Sequence, residues 1–162
     1  MKIRTILFVI FSFIVNNIFS QELSSIKVID IYGNHITGQE IIDNNQHLLI
    51  YFFTNSCYSC HLVAPHVDTL YMKFGCNCKD VFFIAMNLYS FSTDEQVFNF
   101  TQYYGINFPA VSGQGGSSNI AEMFGIGYTP YFILISPNNE IIVNDNYLES
   151  NIEELEKILE KY

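Results

Sequence analysis

Two stretches of the chain are apolar almost without interruption, residues 48–53 (Leu-Leu-Ile-Tyr-Phe-Phe) and 81–88 (Val-Phe-Phe-Ile-Ala-Met-Asn-Leu). Runs of this length without polar alternation predict strands covered on both faces. Each gives way to a different period. After the first, Cys60, Val63, Ala64, Val67, Leu70, Tyr71 and Phe74 recur at three and four, so residues 57–74 read as a helix. Pro65 lies inside it, where a proline removes one backbone hydrogen bond and bends the helix. After the second run, Ser92-Thr93-Asp94-Glu95 reads as a capping box. It opens a helix that Gly105 closes, with Val97, Phe98, Thr101 and Tyr104 on its inner side. Strand then helix, twice over, predicts a parallel pair joined by a right-handed crossover.

The flanking segments are shorter. Residues 25–31 read as a strand, 32–35 as a turn and 38–45 as a polar turn or short helix, together an extension ahead of the core. Residues 108–111 are extended. The loop at 112–118 is glycine-rich and reads as a connector rather than a phosphate cradle, because no lysine follows it as a P-loop requires. A short helix at 119–124 ends at Gly125, and Pro130 opens a strand over 131–135. Pro137-Asn138-Asn139 turns the chain into an antiparallel return at 140–143. Ser150-Asn151-Ile152-Glu153 reads as a further capping box, starting a terminal helix with Ile152, Leu155, Ile158 and Leu159 inward. No repeat or linker interrupts the order, so the class is α/β.

Composition adds size and location. The 162 residues are 49% hydrophobic and 16% aromatic, enough for one domain with a packed core. Lys2 and Arg4, an apolar run over 6–15, and then Asn16-Asn17-Ile18-Phe19-Ser20 follow the order of a cleavable secretory signal, with cleavage expected after Ser20. The apolar run is shorter than the roughly 20 residues a spanning helix needs, so no membrane span is expected after cleavage. The expected division is therefore a signal peptide at 1–20 and one domain at 21–162, located in the periplasm or secreted. Without the leader, five lysines face sixteen acidic residues, a formal charge of −11, which repels phosphate backbones and excludes nucleic acid as a partner.

The candidate chemistry lies in four cysteines, Cys57, Cys60, Cys76 and Cys78, all in the part expected to meet an oxidising compartment. In so large a domain they are too few to act as the main staple, so at least one pair is read as chemical. Cys57-Tyr58-Ser59-Cys60 directly follows a strand and opens a helix, which gives the first sulfur an electropositive seat. The alternatives are a structural disulfide, or a zinc site completed by Cys76, Cys78 and the nearby His61 and His66. The C-x-C spacing with an intervening helix fits zinc poorly, and no metal is assigned.

Three motifs in order carry a resemblance. They are the Cys57-Cys60 pair, Pro65 five residues later, and Phe124-Gly125-Ile126-Gly127-Tyr128-Thr129-Pro130 before an apolar strand. Over roughly residues 26–162 the chain resembles the thioredoxin superfamily, and with its extension and leader it is most similar to TlpA-like thiol-disulfide oxidoreductases of bacterial envelopes. The resemblance implies a three-layer fold, a central mixed sheet flanked by helices with an N-terminal strand extension. It implies Cys57 as attacking thiolate, with a pKa below about 8.5, and Cys60 as the thiol that resolves the mixed disulfide. Pro65 bends the helix in support of the site. Pro130 follows a cis bond and with Thr129 faces an extended substrate. The only cofactor implied is the redox-active Cys57–Cys60 disulfide, and the partners are protein thiols or disulfides of the envelope plus an upstream redox protein. Reduction is the favoured direction.

The chain departs from the family at Ser56, where tryptophan is common, at Ser59, where proline is common, and at Tyr51, in a strand where relatives often bury an acid. Proton transfer then falls to His61 or to water. Cys76 and Cys78 sit in the helix's exit loop as a local disulfide, as partners for other proteins or as free thiols, and as paired soft ligands they suit copper. Two other functions are weighed. A copper-handling module on this fold would use C-x-x-x-C and a distant histidine, whereas no histidine follows His66. A thiol peroxidase would read Thr54-Asn55-Ser56-Cys57 as T-x-x-C, but Ile50 stands where a proline is wanted and no arginine follows the leader.

Overall fold

The structure is a computed structural model that describes residues 23–147 and 149–162; the leader expected at 1–20 lies outside them. The strands are β1 (Lys27–Ile29), β2 (His35–Thr37), β3 (His47–Phe53), β4 (Val81–Asn87), β5 (Ala110–Val111), β6 (Tyr131–Ile135) and β7 (Ile141–Asp145). The helices are α1 (Gly38–Asp43), α2 (Tyr58–Lys73), α3 (Asp94–Tyr104), α4 (Ser117–Met123) and α5 (Ile152–Leu159).

Five strands form one sheet in the order β5-β4-β3-β6-β7, with β5, β4 and β3 parallel and β6 and β7 antiparallel. The uninterrupted apolar run puts β3 at the centre. Side chains alternate across a strand, so Leu49, Tyr51 and Phe53 enter a core with Val63, Ala64 and Val67 of α2, Phe100 of α3 and Leu155 and Leu159 of α5. Leu48, Ile50 and Phe52 enter a second core with Val28, Ile36, Ile41 and Ile120. Two cores on one sheet make the three layers. Phe53 is wholly buried and stacks on Phe100 at 4.3 Å, so Phe53→Ala would cost about 3–5 kcal/mol.

The N-terminal extension is a two-stranded antiparallel hairpin, β1 with β2. It is sewn to the sheet edge by Ile31 N–H donating to Ala110 O at 2.9 Å and Ile29 N–H to Gly115 O at 3.0 Å. The glycine-rich loop is therefore packed rather than a loose connector. A Cβ at Gly113 would lie 2.3 Å from Tyr89 O, and one at Gly115 would lie 2.1 Å from Ile29 O.

Two helix starts differ from the pattern in the sequence. The cap of α3 is Thr93, not Ser92: Thr93 and Gln96 form the reciprocal box, while Ser92 Oγ accepts Gly113 N–H at 2.7 Å. Phe100 rather than Phe98 lies inside, and Phe98 is exposed, with Tyr32 edge-on at 6.3 Å. At α5 the cap position is Asn151, and its side chain makes no capping bond. Among the described residues no helix is long and apolar enough to cross a membrane.

Candidate active site

Register brings three chain segments to one end of the sheet. Phe53 of β3 pairs in parallel with Asn87 of β4, and Phe52 pairs antiparallel with Tyr131 of β6. The turn at 54–57, the loop after Asn87 and the Thr129–Pro130 approach therefore leave the sheet together. The Thr129–Pro130 bond is cis, Pro130 is buried and Thr129 half-buried.

Cys57 is the N-cap of α2, with φ −80° and ψ 104°, and its Sγ accepts Cys60 N–H at 3.1 Å. The spacing of three closes a disulfide between Cys57 and Cys60, with Cα atoms 5.2 Å apart. The two sulfurs differ in access. Cys60 is 0% exposed within the core, whereas Cys57 is half-buried at the surface. A thiolate at the cap meets unpaired N–H groups and the positive end of the helix dipole, which stabilise it, while a thiol in the core keeps its proton.

The turn before Cys57 is held from three sides. Cys57 N–H donates to Thr54 O at 3.1 Å. Asn55 Nδ2 donates to Gln96 O at 2.7 Å, and Asn55 Oδ1 accepts Asn87 Nδ2 at 2.6 Å. His61 Nε2 lies 2.8 Å from Asn55 O, and since a carbonyl only accepts, Nε2 carries the proton. Its ring stacks on Tyr104 at 4.6 Å and tilts against Phe100 at 5.8 Å. This histidine therefore braces the turn through one nitrogen.

Tyr51 occupies the strand where the resemblance leads one to expect an acid. Its hydroxyl donates to Cys60 O at 3.0 Å, and burial pushes the phenol well above its ordinary range, so it stays protonated. Asn87 is fully buried, bonded to Asn55 and accepting Tyr89 N–H at 3.0 Å. Asn87 belongs to no motif, and its one signal in the sequence is an amide closing an apolar strand. Pro65 lies inside α2, and its carbonyl accepts Thr69 Oγ1 at 2.9 Å. Cys76 and Cys78 are free thiols past the C-terminus of the same helix, away from the disulfide. His66 points to Glu149 at 3.7 Å on the exposed surface, and no group of three His, Cys, Asp or Glu suited to a metal occurs among the described residues.

No protein-family model matches the chain. It is 28% identical over 141 residues to the thiol-disulfide oxidoreductase ResA of Bacillus thuringiensis and equally to that of Bacillus anthracis, covering 87% of this chain and 76% of each relative. Among solved structures it superposes on a secreted disulfide oxidoreductase of Mycobacterium tuberculosis homologous to Escherichia coli DsbE, with TM-score 0.70 and 17% identity. That match covers 88% of this chain and 98% of the other. The thioredoxin domain of a Bacteroides vulgatus thiol-disulfide oxidoreductase matches with TM-score 0.67 and 19% identity, over 83% and 92% of the two chains. The fold is thioredoxin-like, with an added N-terminal hairpin.

Proposed function

We propose that this chain, a thioredoxin-like thiol-disulfide oxidoreductase, works as an exported reductase of protein disulfides in the cell envelope. The observation that carries the reading is the asymmetry of one bonded pair, a surface sulfur at a helix N-terminus and a buried sulfur one turn further in. In the reduced enzyme the Cys57 thiolate attacks one sulfur of a substrate disulfide. A Cys57–substrate bond forms, and one substrate thiolate leaves. Cys60 then gives up its proton and attacks Cys57 Sγ. The enzyme disulfide closes, and the second substrate sulfur leaves with its electron pair. The substrate gains two electrons, the enzyme loses two, and an upstream dithiol protein restores them.

In this reading Thr129 and Pro130 line the path of an extended substrate, beside the turn that carries Cys57. Their shared end of the sheet and the family resemblance support that. In this reading water takes the Cys60 proton: Tyr51 is committed as a donor, and His61 serves as a brace, with Nε2–H on Asn55 O and its ring stacked on Tyr104. Reduction as the direction rests on the likeness to envelope enzymes and on Thr129, which precedes the cis-proline and whose hydroxyl, in this reading, tunes the Cys57 thiolate. Export rests on the charged, apolar and small-residue order of residues 1–20. The test is turnover of a disulfide-bonded protein by the reduced chain, run beside its Cys57→Ser variant. Substrate reduction that needs Cys57 supports the reading, and equal rates in both proteins overturn it. Export is tested by recovering the chain outside the cytoplasm with Gln21 as its first residue.

A further inference from the structure

The exit loop of α2 carries a second dithiol that the exchange chemistry does not use. We propose that Met72, Cys76 and Cys78 form a three-sulfur site that binds one Cu(I) ion.

Cys76 Sγ lies 3.5 Å from Met72 Sδ. Sulfurs that share an ion at about 2.3 Å stand a little under about 4 Å from each other, so this pair is already near ligation spacing. Cys78, two residues on in the same loop, has its Sγ 3.5 Å from Cys76 O, so the second thiol is carried on the backbone that carries the first.

The backbone beneath the sulfurs is held firmly. Gly75, Cys76 and Asn77 have φ of 92°, 56° and 63°, three left-handed residues in succession, a conformation that non-glycine residues adopt only at a cost. The Asn77 side chain accepts Phe83 N–H at 2.7 Å and donates to Phe83 O at 3.0 Å. Gln46 Nε2 donates to Asn77 O at 2.9 Å and to Lys79 O at 2.6 Å. The side chains on that fixed loop remain reachable: Cys78 and Met72 are exposed, and Cys76 is half-buried. A fixed frame bearing accessible donors is what a preorganised ion site needs.

The donor set selects the ion. Zinc takes four ligands from thiolate, imidazole and carboxylate, and no third such group joins these cysteines among the described residues. Two thiolates and a thioether are soft donors that suit Cu(I). A cation is also favoured past a helix C-terminus, where the free carbonyls carry partial negative charge. Binding releases the thiol protons and changes no oxidation state.

The experiment titrates the reduced full chain with Cu(I) against a colorimetric Cu(I) chelator under anaerobic conditions. One Cu(I) per chain is expected in the wild type and in Cys57→Ser/Cys60→Ser. It is lost in Cys76→Ser/Cys78→Ser, which still reduces disulfides at the wild-type rate. Met72→Leu removes one of the three donors and should weaken binding by about tenfold or more, at least as much as the loss of an outer-shell partner costs. In the wild type, Cu(I) should shield Cys76 and Cys78 from alkylation, a readout that holds even if the double variant folds poorly. Copper that follows Cys57 and Cys60 instead, wild-type affinity in Met72→Leu, or unshielded Cys76 and Cys78 would each overturn the site.

Discussion

Two cysteine pairs stand at the two ends of one helix, and the helix treats them oppositely. Cys57 and Cys60 open α2, separated by one turn, with the Cys60 N–H directed at the first sulfur and the core around the second. Cys76 and Cys78 follow its other end, about 24 Å away for 16 residues, on a left-handed loop near carbonyls that repel a thiolate. The first pair is bonded and the second free. In the proposed reading, cysteine chemistry is set less by the residue than by the end of the helix it occupies: a nucleophile at the positive end, donors for a cation at the negative end.

The largest expected effect separates the pairs outright. Cys57→Ser should lower disulfide exchange by about a thousandfold or more, while Cys76→Ser leaves it at the wild-type rate in the same insulin-type reduction assay. Cys60→Ser probes the division of labour within the first pair. Attack still occurs but resolution does not, so a covalent enzyme–substrate disulfide should accumulate on a non-reducing gel.

Smaller effects come from the groups that hold the active end. Asn87→Ala leaves Asn55 Oδ1 and Tyr89 N–H without their buried partner and should cost about 1–3 kcal/mol in urea unfolding, with a lower exchange rate. Tyr51→Phe removes one hydrogen bond to Cys60 O in a site that keeps its shape, about 1 kcal/mol by the same method. His61→Gln should be mildest. Glutamine's amide still donates to Asn55 O, and the pH profile of exchange should keep its midpoint; a shifted midpoint would return proton transfer to His61.

Much of this was legible in the sequence. Continuous apolar runs located β3 and β4, since burial on both faces leaves no polar alternation to confuse the period. The three-and-four spacing from Cys60 to Phe74 located α2 to within a residue at either end. The caps were harder. Ser92-x-x-Glu95 and Thr93-x-x-Gln96 both satisfy the box, and Thr93 won because Gly113, distant in sequence, claims the Ser92 hydroxyl. Phe100 rather than Phe98 completes the inner face because it keeps the three-and-four spacing with Val97 and packs on Phe53 of β3.

At the site, Cys57 and Cys60 were readable because their chemistry is local: a spacing, a strand end and a helix start. The groups that steady them were not, because Asn55, Asn87 and Gln96 meet only after β3 and β4 pair. The Met72–Cys76 contact was likewise invisible as a motif. It depends on the chain turning left-handed just past the helix, which Gly75 permits and which Cys76 and Asn77 accept.

The central claim is that Cys57 is the exposed, activated thiolate and Cys60 its sheltered partner. The direct measurement is the rate of iodoacetamide alkylation of each cysteine in the reduced protein as a function of pH, read residue by residue by mass spectrometry. Cys57 should react first, with a midpoint below the ordinary thiol value of about 8.5, while Cys60 stays protected. Equal reaction of the two, or a Cys57 midpoint at or above that value, would contradict the account.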